Sequence, residues 1–360
     1  MRRSWINGTI MDRLGARWLS RRLTRSSEPL DLFSCLQNAR NILIVPNDRV
    51  GGLFFCVPAC RLLRQQYPDA RLSLLVRAPW ATLARQLPYP DTVIEADLGK
   101  PVGSAAFLAV QQDLVSMEFD LAFCLGSDCS FRLAQLFRYA SARVPIGFSR
   151  EGHIPHTIEI SPNDSIRYEA DRIVLLLDML GMQGDSSVRW PVNAAKVRQM
   201  SERYLDRGGP GRIVALDLSR GEGDGLAPGQ IENILDRICR RGGRALVLHT
   251  QSECRLVAAL LNQYGDRITP FEPEDPADAA SLLPSCHTLI AGNTDLLHMG
   301  IALETPVIGL FDEEVRRWIR YGNERVKIIQ ASDLRAISVH QVDRELEEAF
   351  SGRSGNGRQR

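Results

Sequence analysis

Short apolar runs alternate with helix-length stretches along this chain, pause once near the middle, and resume. Ile42-Leu43-Ile44-Val45 is an unbroken apolar run, as a parallel strand covered on both faces requires. Gly51 and Gly52 follow in a polar turn, and Phe54 to Gln66 then reads as one helix with Pro58 near its start. Arg71 to Val76, Thr92 to Glu95, Leu121 to Leu125 and Val144 to Phe148 continue as strands, with helices predicted over Trp80 to Gln86, 103–118 and 130–140. Ile166 to Met182 is a long helix with Ile173, Leu176, Leu177 and Leu180 on one side. Gly184 to Ser187, with Pro191, is the predicted linker.

The alternation restarts at Arg212. Strands are predicted at Ile213 to Leu216, Ala245 to Leu248, Thr288 to Ala291 and Val307 to Leu310. Helices are predicted at Gln230 to Arg241, Glu253 to Tyr264, Asp275 to Leu283 and Leu296 to Leu303, and an amphipathic helix at Val339 to Phe350 closes the pattern. Such alternation demands a parallel sheet with helices on both faces, so the chain is α/β with two doubly wound halves. Ligands in such sheets sit beyond the carboxyl ends of the strands, and here also in the cleft between the halves.

Length agrees: 360 residues suit two domains. The expected division is a basic extension over 1–40, a first domain over 41–185, a second over 186–338, the closing helix 339–350 and a disordered tail over 351–360. Lys plus Arg (44) nearly cancels Asp plus Glu (43), so a strongly basic nucleic-acid binder is excluded. No apolar stretch approaches bilayer-spanning length, and no secretory leader is legible. Residues 1–25 carry seven arginines against the single acid Asp12, with Trp5, Ile6, Ile10, Leu14, Trp18 and Leu23 at near-helical spacing. This basic amphipathic segment suits either an anionic membrane surface or packing on its own protein. The eight cysteines contain no C-x-x-C pair and read as free thiols of a reducing cytoplasm, with no metal expected.

Two strand–helix turns carry candidate chemistry. The first is Pro46 to Gly52, where glycines permit close backbone approach and helix amides attract anions. The second is Gly292-Asn293-Thr294-Asp295, where Thr294 or Asp295 suits an N-cap and free amides could hold a diphosphate. Asp295 competes with a phosphate for the same positive helix end. His298 falls in the first turn beyond, as a structural or a catalytic residue.

Over roughly residues 41–350 the chain resembles the glycosyltransferase family 9 proteins, the heptosyltransferases of lipopolysaccharide core assembly. The resemblance rests on Ile42 to Val45, Asp48-Arg49-Val50-Gly51, Val57-Pro58-Ala59, Arg61 to Arg64, Tyr67 to Ala70, Phe119-Asp120-Leu121 and Ile146-Gly147-Phe148. In the second half it rests on Gly292-Asn293-Thr294, His298, Ala302-Leu303, Thr305-Pro306-Val307, Leu310-Phe311, Arg317-Trp318 and Tyr321-Gly322. It implies a GT-B fold of two Rossmann-like domains facing across a cleft. It also implies an inverting, metal-independent enzyme without a cofactor. Such an enzyme moves a heptose or related sugar from a nucleotide-diphospho-sugar, typically ADP-heptose, to a lipid-linked saccharide. The donor sits mainly in the second half, and a carboxylate in the first loop deprotonates the acceptor. A cytoplasmic protein peripheral to the inner face of the bacterial inner membrane is expected.

The departures from the family pattern set the candidate residues. Gly51-Gly52 stands where the family reads Gly-Asp, so the base position is Gly52, and Asp48 is the candidate base or a hydrogen-bonding turn residue. In the loop Ser219 to Pro228, Gly225 stands where the family has lysine. Arg220 is either a phosphate ligand there or a solvated residue. Glu253 matches an acid that contacts the nucleotide, or opens a helix favoured by its dipole. The donor set is Ser219, Arg220, Glu253, Asn293, Thr294, Asp295 and His298. An active transferase, a lapsed relative serving as an assembly subunit in envelope polysaccharide synthesis, and an epimerase-like enzyme all fit this pattern.

Overall fold

The computed structural model of the chain describes residues 31–126, 129–149, 156–161, 165–166, 168–206, 211–219, 226–312, 317–320 and 322–351. The basic segment 1–25, Arg220, Gly225, Tyr321 and the tail beyond Ser351 lie outside the described residues. Two compact units divide the chain, Met1–Val188 and Arg189–Arg360. No helix among the described residues is long and apolar enough to cross a membrane.

Unit 1 opens with α1 (Leu32–Gln37), β1 (Asn41–Val45), α2 (Gly52–Phe55), α3 (Val57–Gln66) and β2 (Arg71–Arg77). It continues with α4 (Ala81–Ala84), β3 (Thr92–Ala96), α5 (Ala105–Ser116), β4 (Leu121–Cys124), α6 (Phe131–Tyr139), β5 (Val144–Phe148), β6 (Ile158–Ile160) and α7 (Glu169–Asp178). The strands are all parallel, in the order β3-β2-β1-β4-β5-β6. Leu43, Val45, Leu75, Ala122 and Cys124 on one face of the sheet pack against Phe107 and Leu114 of α5 and Leu133, Leu136 and Phe137 of α6.

Unit 2 holds α8 (Ala194–Tyr204), β7 (Ile213–Asp217), α9 (Pro228–Arg240), β8 (Arg244–Leu248), α10 (Cys254–Tyr264), β9 (Ile268–Phe271) and α11 (Pro276–Leu282). It then holds β10 (Thr288–Ala291), α12 (Asp295–Ala302), β11 (Val307–Phe311), β12 (Val326–Gln330) and α13 (Val339–Ser351). Its order, β12-β11-β10-β7-β8-β9, is again all parallel. Renumbered from its own first strand, this is the order of unit 1. Both are the dinucleotide-fold order, and both place a switch point between the first and fourth strands. In unit 1 that point lies between β1 and β4; in unit 2, between β7 and β10.

Where one helix was expected over Phe54 to Gln66, there are two. Pro58 occupies an N-terminal position of α3 and has no N–H to continue the ladder of α2, so the helix restarts at Val57. The helix expected over 166–182 is shorter, α7, and Gly181 at φ +86° turns the chain beyond it. The predicted linker packs on unit 1: Arg61 bonds the carboxylate of Asp185 at 2.7 Å and the carbonyl of Ser187 at 3.3 Å. A Cβ at Gly184 would come 2.4 Å from Leu62, so the chain runs flat against α3 there.

Candidate functional site: one polar cluster in each unit

Each switch point is bridged by an aspartate. In unit 1 the chain leaves β1 through Pro46 to Gly51 and leaves β4 towards Ser130. Ser130 is the N-cap of α6; its hydroxyl accepts from Leu133 N at 3.2 Å. The backbone N–H of the same Ser130 donates to Asp48 Oδ1 at 2.9 Å. Asp48 therefore ties the two loops together, and Oδ2 has no hydrogen bond among the described residues. Asp48 also lines a shallow, open recess with Asn47, Arg77 and Trp80. The Arg77 guanidinium lies 5.8 Å from the centre of the Trp80 ring, and Phe54 meets that ring edge-on at 5.8 Å. A partly exposed indole, a cation and a carboxylate on one wall are groups that suit a polar, ring-shaped ligand.

The loop geometry explains the glycines. Gly51 sits at φ +74° and caps α2, a backbone state that favours glycine. Gly52 is buried, and a Cβ there would lie 1.9 Å from the carbonyl oxygen of Asn47. Asn47 Oδ1 in turn accepts from Arg49 N at 3.1 Å, an Asx turn that holds this path. No carboxylate fits at Gly52 on this backbone, whereas Asp48 is already beside the recess.

In unit 2 the corresponding residue is Asp217, at the end of β7. Its Oδ1 accepts from Ser219 N at 2.8 Å and from Ser219 Oγ at 2.5 Å, and its Oδ2 accepts from Thr294 Oγ1 at 2.6 Å. Thr294 is the N-cap of α12, accepting from Leu297 N at 3.3 Å. Asp295 is the half-buried first residue of that helix. Burial pushes the Asp217 carboxyl up to about 6 from its ordinary 3.8, against the pull of the Ser219 and Thr294 bonds, with the Glu253 charge adding to the rise.

His298 is buried, and its Nε2 lies 3.2 Å from Asn293 Oδ1. Desolvation brings its pKa down to about 3, so the ring is neutral at pH 7. Trp318 packs against it at 6.1 Å, with Arg317 over the Trp318 ring at 4.7 Å. His298 therefore rests as a neutral ring against Asn293. Glu253 is engaged locally: Oε2 accepts from Thr250 N at 2.9 Å and Thr250 Oγ1 at 2.7 Å, closing a capping box around the 3₁₀ turn Gln251–Glu253, and Oε1 accepts from Ser252 Oγ.

Ser219, Asn293, Thr294, Asp295 and His298 gather at one switch point, with Glu253 close enough to act on Asp217 through its charge. Sequence reasoning missed Asp217, Ser130, Arg77 and Trp80. The available signal for Asp217 was an acid closing an apolar strand with serine two residues on; for Ser130 there was none, because its partner Asp48 lies 82 residues away.

The architecture defines a protein of two Rossmann-type units, each with a polar cluster at its switch point. No protein-family model matches the chain, and no curated protein matches its sequence. Solved structures do match its fold. A family 9 glycosyltransferase from Veillonella parvula superposes with a TM-score of 0.73 at 14% identity, over 86% of this chain and 97% of that one. The E. coli ADP-heptose LPS heptosyltransferase II gives 0.70 at 14% identity, over 86% and 98%. The E. coli heptosyltransferase WaaC with ADP gives 0.67 at 15% identity, over 86% and 99%. The fold is the GT-B type of these proteins, as the sequence resemblance implied.

Gly52→Ala should destabilise the protein by about 2 kcal/mol or more in urea unfolding, because the new methyl meets backbone that cannot yield. Asp217 and His298 act oppositely on stability below neutral pH. The raised Asp217 contributes stability that is full below 3.8 and is lost as pH rises through 6. The depressed His298 contributes stability that is full above 6.5 and is lost as pH falls towards 3. Between about pH 4 and 6 the two slopes, each up to about 1.4 kcal/mol per pH unit, offset one another. Asp217→Asn removes one of them, so acidification from pH 6 to 4 should cost the variant about that much more per unit than the parent, measured by urea unfolding at each pH.

Proposed function

We propose that this chain is a glycosyltransferase that moves a heptose or related sugar from a nucleotide-diphospho-sugar to a lipid-linked saccharide of the lipopolysaccharide-core type, with inversion and without a metal in the transfer. The observation that carries the reading is Asp48, held through one oxygen by Ser130 N–H with its other oxygen unpaired among the described residues, on the wall of the recess that Arg77 and Trp80 line. Asp48 takes the proton of the acceptor hydroxyl as that oxygen attacks the anomeric carbon. The bond from that carbon to the diphosphate breaks, and its electron pair leaves with the nucleotide. Arg77 and Trp80 hold the acceptor sugar.

The unit 2 cluster takes the donor. Backbone amides at the start of α12, with Asn293, receive the diphosphate and Arg220 adds positive charge, while Ser219 and Thr294 are held by Asp217 and Glu253 closes its own turn. Asp217 and His298 position these groups. ADP bound to WaaC and a fluorinated ADP-heptose bound to the same E. coli enzyme support a donor of this class. Residues 1–25 supply the contact with an anionic bilayer where a lipid-linked acceptor resides.

A second reading, a lapsed relative that binds without transferring, is favoured by the glycine that the loop requires at 52. The two separate on turnover. An active enzyme releases nucleoside diphosphate when given donor and acceptor. A lapsed one shows only binding, seen as about 2.7 kcal/mol of added stability at a hundredfold excess of ADP over its Kd.

Asp48→Asn keeps the Oδ1 acceptor for Ser130 N–H, so its stability should stay within about 1 kcal/mol of the parent. Its kcat for transfer should fall by about a hundredfold or more. Parental turnover in that variant would remove Asp48 as the base.

A further inference from the structure

One side-chain cluster in unit 2 takes no part in the proposed transfer. Pairing of β8 with β9 sets Leu248 beside Phe271, and His249 N donates to Phe271 O at 3.1 Å, so His249 and Glu272 emerge side by side from neighbouring strand ends. The 3₁₀ turn Gln251–Glu253 then folds the chain back and delivers Cys254, the first residue of α10, to the same place. Its Sγ lies 3.8 Å from Glu272 Oε2 and 3.9 Å from Thr250 O. One nitrogen of His249, the Cys254 sulfur and one oxygen of Glu272 all lie within 4.8 Å of one another.

We propose that His249, Cys254 and Glu272 bind a divalent metal ion of the zinc class. Tetrahedral zinc with bonds of about 2.0–2.3 Å holds its ligand atoms about 3.3–3.8 Å apart. The Cys254–Glu272 separation already meets that spacing, and the remaining closure is of the size a side-chain rotation supplies. An imidazole and a thiolate select Zn²⁺ or Co²⁺ over Mg²⁺ or Ca²⁺, which take oxygen ligands. Charge also favours a cation: no ion pair reaches Glu272 among the described residues, and its one hydrogen-bond neighbour is the thiol.

Glu253 is not a fourth ligand, because Thr250 and Ser252 occupy both its oxygens. The fourth position of the tetrahedron is left to water. On binding, the Cys254 S–H bond breaks, the sulfur keeps the electron pair as a ligand, and the proton passes to solvent. The cluster lies at the β8–β9 edge of the sheet, away from the β7–β10 switch point. The ion would therefore clip the turn that carries Glu253 to the edge strand without entering the transfer itself.

The test uses the untagged full chain, fully reduced, titrated with Co²⁺ and then Zn²⁺. The expected result is one equivalent of Co²⁺ with a thiolate-to-cobalt charge-transfer band that Zn²⁺ abolishes. Cys254→Ser should lose the band and weaken Zn²⁺ binding by at least about tenfold, and Glu272→Gln should weaken it about tenfold while keeping the band. Cys239→Ser, at another half-buried thiol, should change neither. Melting temperatures in the presence of chelator should match across all four proteins. Absence of the band in the parent chain, its loss in Cys239→Ser, or undiminished affinity in Cys254→Ser or Glu272→Gln would overturn the site. The readout is metal binding by the protein alone, so its failure leaves the transferase reading standing.

Discussion

A carboxylate reaching across the sheet's switch point organises both units. Parallel sheets of this order part their loops between the first and fourth strands, and that gap is where ligands bind. Something must hold the two loops in register with the gap open. In unit 1 Asp48 does so through the backbone N–H of Ser130; in unit 2 Asp217 does so through the hydroxyl of Thr294. Both partners are N-caps of the helix that follows the fourth strand. The same bond thus positions a loop and a helix N-terminus together, and each proposed role is a consequence of that placement.

The two aspartates differ in what burial does to them. Asp48 is half-buried, with one oxygen committed, and stands beside a recess. Asp217 is buried and satisfied on both oxygens, which suits it to positioning and unsuits it to chemistry on a ligand. Its raised pKa and the depressed pKa of His298 have the same origin, desolvation of the charged form, yet they tilt stability in opposite directions with pH. The buried part of the unit 2 cluster, Asp217, Thr294 and His298, therefore has its polar groups paired within the cluster. Such pairing holds the backbone at the start of α12 in one arrangement, the preorganisation on which the proposed diphosphate site calls.

Much of the fold was legible in the chain because central parallel strands are buried on both faces and must be continuously apolar. β1, β2, β4, β7, β8, β10 and β11 all read that way. β6, β9 and β12 do not stand out in the chain, because each lies at a sheet edge with partly exposed positions that break the apolar run. Nor does α8, where Met200 alone is buried. The helix predicted through Pro58 divides there because a missing N–H is a local fact whose consequence depends on where the preceding helix begins.

The order of residues by itself determined the α/β class, the doubling of the unit, the glycines of the first loop and the cap that opens α12, since each follows from local periodicity or from a backbone need met within a few residues. Tertiary structure alone decided what each acid meets. Asp48 meets Ser130 and Asp217 meets Thr294 across separations of 82 and 77 residues, and Glu272 comes to Cys254 across 18. Such meetings are set by strand order in the folded sheet, a property of long-range pairing that no short window of sequence contains.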